Sequence, residues 1–184
     1  MKPWHIRAAA GVLRAGGVIV YPTEAVFGLG CAPHFPDAVA RIVAIKRRNP
    51  RKGLIIVAAC IEQVQRFIDV SAIELAPVLA SWPGPVTWIL PAGRAAPAWI
   101  TGRSRTIAVR VSAHPTVREL CELAGPIVST SANPSGRPPA RSLARVRAYF
   151  RGGLDYQLPG RLGGAAAPCE IRDAVSGVVL RKGG

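Results

Sequence analysis

The order of strand-like and helix-like segments constrains the fold of this chain more than any other feature of its sequence. Short runs of β-branched and aliphatic residues predict five buried strands, at 18–22, 53–60, 86–92, 106–112 and 127–133. The segments between them repeat apolar residues three and four positions apart, as one face of a helix does. Because helices do not alternate strictly with these strands, the pattern favours an open, twisted, mixed β-sheet flanked by helices, of the α/β (α+β) class, over a parallel dinucleotide-binding sheet.

The remaining segments are assigned from similar local patterns. Residues 23–30 are interpreted as a loop because they contain two glycines after a strand that ends in proline. Flexible connections rich in Pro, Gly and Ala are expected at 137–141 and 161–168. Two short strands are expected at 156–160 and 174–183, the second with a Ser-Gly hairpin turn. Helices are predicted at 5–16, 36–48, 61–68, 71–82, 115–124 and 142–150.

Length and composition are typical of a packed globular protein. The 184 residues are expected to form one domain, 1–184, that buries roughly two-thirds of the surface of the unfolded chain. Hydrophobic residues make up 49% and charged residues 18%, which excludes a disordered chain. No apolar run is long enough for a membrane span and no secretory signal is visible, so we expect no membrane partner and a cytoplasmic location. The cysteines and histidines lack metal-ligand spacing, so no metal site is predicted and the thiols are expected to be reduced.

The net charge of +14 comes from 24 Lys and Arg against 10 Asp and Glu. A field this positive attracts phosphate-rich partners and strengthens binding to nucleic acid. It also serves solubility, or follows simply from an Arg-rich composition. The charge alone therefore leaves open both a polyanionic partner, such as a nucleotide or RNA, and a purely solvating surface.

The densest positive cluster is KRRNPRKG, at 46–53, between a predicted helix and a buried strand. Like charges this close repel one another unless an anion neutralises them. A Lys point charge combined with Arg forks suits a triphosphate. The alternative is a solvated helix end that the helix dipole stabilises.

Three further segments could hold parts of a ligand. VSTSANPSG, at 128–136, opens a strand end into hydroxyl and amide side chains that suit phosphate or carboxylate groups, although such residues are also common in turns. YPTEAVFGLG, at 21–30, brings glycines to a strand end but contains neither the dinucleotide nor the P-loop pattern. Arg110 shares a strand face with Thr106 and needs an anionic partner, either a ligand or an internal carboxylate. No catalytic triad is visible, and the excess of cations over candidate bases favours charge stabilisation over proton transfer.

Six ordered motifs resemble those of the YrdC family of threonylcarbamoyl-adenylate synthases: YPTEAVFGLG (21–30), KRRNPRKGL (46–54), WPGPVT (82–87), TIAVRV (106–111), STSANPSG (129–136) and PCEIRD (168–173). The resemblance implies a short, single-domain form whose open mixed sheet carries a concave, positively charged cleft. It implies the condensation of L-threonine, bicarbonate and ATP to threonylcarbamoyl-adenylate, with release of pyrophosphate. Partner enzymes would then transfer the threonylcarbamoyl group to tRNA, forming N6-threonylcarbamoyladenosine.

The resemblance also implies roles for individual residues. The catalytic and ATP-binding tetrad of the family corresponds to Lys46, Arg48, Ser131 and Asn133. Its two cations are expected to neutralise the triphosphate, and its Ser and Asn to orient nucleotide oxygens. Thr106 falls near the nucleotide, whereas the threonine-binding positions correspond to Thr23, Arg110 and Ser129, the arginine pairing with the carboxylate. Mg²⁺ is expected as a cofactor with ATP, held mainly by phosphate oxygens and water.

The chain departs from the family pattern at two points. Asn49 follows the K-x-R arginine where Pro is usual, with Pro50 one residue later, and Glu24 is followed by Ala25 in place of Thr. Two other functions stay open. One is a non-catalytic module that binds double-stranded RNA or tRNA directly through shape and charge, and the other is an ATP-independent hydrolase or carbamoyltransferase.

Overall fold

The computed structural model describes residues 3–183, so Met1, Lys2 and Gly184, at the ends of the predicted domain 1–184, lie outside the described residues. The strands are β1 (Ile19–Pro22), β2 (Phe27–Cys31), β3 (Ile55–Ala58), β4 (Val86–Pro91), β5 (Thr106–Val111), β6 (Ile127–Ser131), β7 (Tyr156–Gln157), β8 (Glu170–Asp173) and β9 (Val179–Arg181). The α-helices are α1 (Pro3–Arg14), α2 (Pro36–Ile45), α3 (Ala76–Ala80), α4 (Ala98–Thr101), α5 (Pro115–Ala124) and α6 (Leu143–Tyr149).

The described strands form one mixed sheet in the order β7-β1-β2-β6-β3-β5-β4-β8-β9. The pairs β1–β7, β3–β5 and β4–β8 are parallel, and the other neighbours are antiparallel. This mixed sheet with flanking helices confirms the predicted class. At its centre the register places four residues side by side on one face: Ser129, Ile55, Ala108 and Ile89.

Helices cover both faces of the sheet, but one face only in part. Ile56 and Val57 are neighbours on β3 and so point to opposite faces. Ile56 belongs to the apolar cluster that includes residues of α2, α3 and α4. Val57 belongs to the cluster that includes Leu13 of α1 and Leu120 of α5. The central row that contains Ser129 and Ile55 lies on the α1 and α5 face, and it borders a cavity.

The strand β2 replaces part of the loop predicted at 23–30. Its two glycines accommodate Tyr21, whose ring lies close to the backbone of β2. A Cβ on Gly30 would lie 2.8 Å from the ring carbon Cε1 of Tyr21 and 2.7 Å from Cγ2 of Ile127. The glycines therefore mark a close side-chain approach within a strand and not a loop.

Two predicted helices are wrong in type or length. Residues 61–68 form two short 3₁₀ turns, Ile61–Gln63 and Gln65–Phe67. Of the segment 71–82 only α3 is helical, because Pro77 lies in its first turn and a helix running through from residue 71 would meet the proline ring and lose a hydrogen bond. None of the helices in the described part of the chain is long and apolar enough to cross a membrane.

The end of the chain forms a hairpin that begins earlier than predicted. The first strand is β8, and 174–178 is the turn, because the carboxylate of Asp173 accepts hydrogen bonds from the N–H groups of Val175 and Ser176 at 3.0 and 2.8 Å. The strand expected at 156–160 is reduced to β7. The segments 137–141 and 161–168 contain neither helix nor strand, and their flexibility stays a prediction.

Candidate active site

A cavity of about 500 Å³ opens on the sheet face that α1 and α5 cover only in part. Six of the eight predicted site residues line it: Thr23, Arg48, Thr106, Arg110, Ser129 and Ser131. The other two, Lys46 and Asn133, do not line the cavity. They contact the turn that follows Ser131 and so lie one layer behind the surface that a ligand would meet.

The last turn of α2 directs Lys46 and Arg48 away from the helix axis. The N–H of Arg47 donates to the carbonyl of Ala44 and the N–H of Arg48 to that of Val43, each at 2.9 Å. These bonds form a Schellman cap, in which the residue at the Arg47 position is usually glycine. Arg47 takes a left-handed φ of 50° there, which is a strained conformation for a residue with a side chain. The helix predicted at 36–48 therefore ends at Ile45.

Lys46 is buried and binds backbone oxygens. Its ammonium donates to the carbonyl of Ser131 and, at 2.7 Å, to that of Asn133. Its own carbonyl accepts from the N–H of Ser135 at 2.7 Å. Burial first, and the nearby charge of Arg48 second, lower the pKa of Lys46 to about 8. Lys46 thus clamps the segment 131–135 and uses two of its three ammonium hydrogens for backbone carbonyls.

Arg48 holds the loop that leads to β3. Its Nη2 donates to the carbonyl of Gly53 at 2.8 Å, whereas its buried Nε has no hydrogen-bond partner among residues 3–183. Burial lowers the pKa of Arg48. The path at Asn49-Pro50 is a turn, because Asn49 Oδ1 accepts from the N–H of Arg51 at 2.9 Å and the Asn49 carbonyl from the N–H of Lys52 at 3.1 Å. No ion pair between described residues involves Arg48 or Lys46.

Three polar side chains, those of Asn133, Ser104 and Thr106, belong to the cavity or to the turn beside it. The amide of Asn133 donates to the carbonyls of Pro134 and Arg137, at 3.1 and 2.6 Å, and its buried Oδ1 has no partner among the described residues. Asn133 therefore shapes the turn after β6. The hydroxyls of Thr106 and Ser104 lie 2.6 Å apart, and both residues line the cavity.

Arg110 on β5 has a partner inside the protein. Its Nη2 lies 3.3 Å from Oε2 of Glu24, and the two side chains are only 9% and 13% exposed. Its Nη1 donates to Sγ of Cys169 at 2.7 Å. The other carboxylate oxygen of Glu24 accepts from the hydroxyl of Ser112 at 2.6 Å. Of the two anionic partners predicted for Arg110, a ligand or an internal carboxylate, the internal carboxylate is thus present as Glu24.

Two further hydroxyl side chains, those of Ser129 and Thr23, line the same cavity as Arg110. Ser129 accepts a hydrogen bond from the hydroxyl of Tyr21 at 2.7 Å. Burial raises the pKa of Tyr21, so this phenol stays a donor at neutral pH. Thr23 donates to the carbonyl of Val26 at 2.7 Å and closes the turn between β1 and β2. The cavity therefore has a basic end, at Arg48 and Ser131, and an Arg110 end.

Comparison with known proteins assigns the chain to a family. A sequence model of the Sua5/YciO/YrdC family, described as "Telomere recombination", matches residues 11–183. The chain belongs to this family. A threonylcarbamoyl-AMP synthase of Halorhodospira halophila is 53% identical over 183 residues, which cover 98% of this chain and 96% of that protein. A threonylcarbamoyl-AMP synthase of Pseudomonas savastanoi pv. phaseolicola is 52% identical over the full length of both chains.

A solved structure of the Sua5/YciO/YrdC family has the same fold. The crystal structure of P. abyssi Sua5 complexed with L-threonine superposes with a TM-score of 0.92 at 35% sequence identity. The match covers all of this chain and 55% of the P. abyssi chain, so the chain spans about half the length of that relative.

The cavity residues of this Sua5/YciO/YrdC chain that were not predicted include Ser104, Cys169 and Arg181. Arg181 donates to the carbonyl of Cys169 through Nε and Nη2, at 3.1 and 2.6 Å, and burial lowers its pKa. The motif at 168–173 signals the region of Cys169. Nothing in the sequence separates Arg181 from the many other arginines, because only the hairpin of β8 and β9 brings it to the cavity.

Proposed function

We propose that this chain is a threonylcarbamoyl-AMP synthase, which condenses L-threonine, bicarbonate and ATP to threonylcarbamoyl-adenylate and releases pyrophosphate. One observation carries the proposal. A single cavity contains Arg48, which has no carboxylate partner among the described residues, and the buried Arg110. The chain is 53% identical to a threonylcarbamoyl-AMP synthase over nearly its whole length. The two ends of the cavity suit two substrates of different charge.

The basic end suits ATP. Arg48 and Lys46 supply positive charge opposite the phosphates, and that charge stabilises the α-phosphate as a carbamate oxygen displaces pyrophosphate. Ser131 and Thr106 offer hydroxyls to nucleotide oxygens, and Asn133 holds the turn that presents Ser131. We expect Lys46 to act through both its charge and its clamp on the segment 131–135.

Mg²⁺ is expected to arrive with the triphosphate. Among residues 3–183 no group of three or more His, Cys, Asp or Glu side chains is arranged to hold a metal ion. Glu24, the carboxylate next to the cavity residue Arg110, is engaged by Arg110 and Ser112. The donor set of the protein thus fits an ion whose ligands are mainly phosphate oxygens and water.

The Arg110 end suits L-threonine. The guanidinium of Arg110 pairs with the carboxylate, and Thr23 and Ser129, which line the same cavity, are expected to contact the rest of the amino acid. The P. abyssi Sua5 structure, which is complexed with L-threonine, supports a threonine site within this fold. Bicarbonate has to reach the amino group between the two ends, because the carbamate must form beside the α-phosphate.

The product is proposed to serve tRNA modification in the cytoplasm, through partner enzymes that transfer the threonylcarbamoyl group. Direct binding of tRNA to this chain is a separate proposal that its net charge of +14 supports. Such binding is expected to weaken steeply as the salt concentration rises.

Pyrophosphate release tests the proposal. The purified chain is incubated with ATP, Mg²⁺ and bicarbonate, with and without L-threonine, and pyrophosphate is measured over time. We expect release that depends on both threonine and bicarbonate. ATP binding without threonine-dependent release would contradict the proposal. An RNA affinity that falls with salt and is unchanged in Arg48→Ala would then favour the RNA-binding module.

A further inference from the structure

Glu24 is the carboxylate at the centre of a buried chain of contacts next to the cavity. The hydroxyl of Ser112 donates to Glu24 Oε1 at 2.6 Å and accepts from the N–H of His114 at 3.1 Å. The backbone of the Glu24 turn is also fixed, because its carbonyl accepts from the N–H of Ala165 at 3.0 Å. The carboxylate therefore has little freedom to move, and it faces Arg110 from a fixed position.

The pairing of Glu24 with Arg110 leaves hydrogen-bonding capacity unused. The two side chains meet through one contact of 3.3 Å and not through the two parallel hydrogen bonds of a fork. Within the part of the chain that the structure describes, both Glu24 Oε2 and Arg110 Nε are buried without a hydrogen-bond partner. Burying a charge pair with such incomplete pairing is costly, so stability alone does not explain the arrangement. The guanidinium keeps donors that an anionic ligand in the cavity can use.

Arg110 differs from the other arginines that line the cavity in having a carboxylate partner. Three arginines line it: Arg48, Arg110 and Arg181. Among the described residues only Arg110 of these three has a carboxylate partner, since Arg48 and Arg181 donate to backbone carbonyls. Arg110 itself is thus paired with a carboxylate, whereas Arg48 is not, and Arg181 adds a further positive charge near Arg110 because both arginines contact Cys169.

We propose that Glu24 is a positioning and specificity-determining residue for the amino acid substrate, an inference that rests on the proposed function. Glu24 orients the Arg110 guanidinium toward the carboxylate of the amino acid. Its negative charge also repels phosphate groups from Arg110, because a polyanion placed there would approach the carboxylate as well. The Arg110 end then accepts an amino acid, which carries one carboxylate and one ammonium, and excludes the phosphates of ATP and pyrophosphate.

Glu24→Gln tests this inference, because it removes the charge and keeps an oxygen that can accept the hydrogen bond of Ser112. The KM for threonine is expected to rise about tenfold, the size of one charge-assisted hydrogen bond, while the KM for ATP stays within about twofold. Inorganic phosphate is expected to inhibit this variant in competition with threonine, and not to do so in the wild-type enzyme. Glu24→Asp, which keeps the charge, is expected to resist phosphate as the wild-type enzyme does.

Glu122→Gln is the matched control, because Glu122 is the carboxylate of the exposed Arg118 pair at 3.8 Å and does not line the cavity. It is expected to leave both KM values and the response to phosphate unchanged. Equal changes in the two KM values of Glu24→Gln, or no competition by phosphate, would overturn the inference. So would the same changes in the Glu122 control.

A second variant covers the case in which Glu24→Gln does not fold. Ser112→Ala keeps both charges and removes the 2.6 Å hydrogen bond to Glu24, so the KM for threonine is expected to rise about threefold. An unchanged KM in that variant overturns the inference. If the wild-type chain shows no threonine-dependent pyrophosphate release, the proposed function itself is contradicted. If the wild-type enzyme is active and the Glu24 and Ser112 variants have its kinetic constants, only the role of Glu24 is contradicted.

Discussion

The basic end and the Arg110 end of the cavity use the same kind of cation in opposite electrostatic settings. At the basic end Arg48 and Lys46 donate to neutral carbonyls, and no carboxylate within residues 3–183 pairs with them. At the other end Arg110 lies 3.3 Å from Glu24. Unbalanced charges suit a polyanion such as a triphosphate, and a balanced pair suits an amino acid. Two binding sites of different selectivity can therefore share one cavity.

The two ends also differ in how the backbone supports them. Lys46 and Arg48 follow a helix cap with a strained residue, Arg47, and lead into a loop. Arg110 lies within β5, between the paired strands β3 and β4. A strand at the centre of a sheet holds its side chains more rigidly than a loop does. We therefore expect the basic end to adjust more on binding than the Arg110 end.

Arg48→Ala is expected to have the largest effect. Removal of a charge that stabilises a developing oxyanion lowers kcat by on the order of 100-fold. The measurement is steady-state pyrophosphate release, with Arg7→Ala as the control because Arg7 is an exposed residue of α1 outside the cavity. A loss of the same size in the Arg7 control, or unchanged kinetics in Arg48→Ala, would show that Arg48 is not part of the active site.

Arg110→Ala is expected to act on threonine alone. Loss of the guanidinium removes a buried hydrogen bond to the substrate carboxylate, so the KM for threonine is expected to rise about 30-fold. The KM for ATP should change little, because the basic end keeps its charges. Titration of the variant with each substrate separates the two effects, and a raised KM for ATP would show that the ends are not independent.

The pH dependence of the reaction tests Lys46. Because its pKa is about 8, the ammonium loses its charge as the pH rises through that value. The value of kcat/KM for ATP is expected to fall about tenfold between about pH 7 and pH 9, since this parameter reports groups of the free enzyme. Lys46→Arg, whose charge does not titrate in this range, should flatten the profile. A profile of the same shape in both enzymes would assign the titration to another group.

The lowered pKa of Lys46 also makes the free energy of unfolding depend on pH. A lysine in a favourable ion pair has a raised pKa and loses its stabilising effect as the pH rises, whereas the effect of Lys46 runs the other way. Folding lowers the pKa of Lys46 from its ordinary value of 10.5 to about 8. Between these values the unfolded chain holds the Lys46 proton more firmly than the folded chain does, so Lys46 contributes a rise in the free energy of unfolding with pH. The buried thiols of Cys31 and Cys121 contribute a fall, because burial raises their pKa values to about 12. Denaturant titrations of the wild-type chain and Lys46→Met separate the two contributions, since the stability of the wild-type chain relative to the variant should rise with pH.

Arg47→Gly is expected to have the smallest effect. Glycine adopts the left-handed φ of this position without strain, so we expect the free energy of unfolding to rise by about 1 kcal/mol or less after the entropy of glycine is subtracted. Neither KM should change, because Arg47 does not line the cavity. Thermal unfolding monitors the gain, and a lower melting temperature would mean that the Arg47 side chain makes stabilising contacts.

The sequence predicts the parts of the fold that depend on local patterns. The central strands are correct because β-branched runs such as those at 53–60 and 127–133 form buried strands. The α1 helix is correct because Ile6, Ala9, Ala10 and Leu13 recur on one face and are all buried. The strand β2 was missed because Gly28 and Gly30 are typical of loops, and only the approach of Tyr21 explains why a strand needs them.

The sequence predicts which residues belong to the candidate site better than it predicts how they are arranged. Arg48 of the cluster at 46–53 and Ser131 at the end of β6 do line one cavity, as the motifs suggested. The clamp of Lys46 on two backbone carbonyls depends on the turn that follows Ser131, and no spacing in the sequence reveals it. Arg181 lies at the cavity only because β8 pairs with β4, and this pairing joins residues about 80 positions apart in the sequence.

A crystal structure of the chain with L-threonine and a non-hydrolysable ATP analogue tests the central claim most directly. We expect the triphosphate to lie against Arg48 and Ser131. We expect the threonine carboxylate to accept hydrogen bonds from Arg110 while Glu24 keeps its contact with Arg110. Threonine bound at Arg48, or phosphate groups bound at Arg110, would contradict the division of the cavity into two ends of different charge.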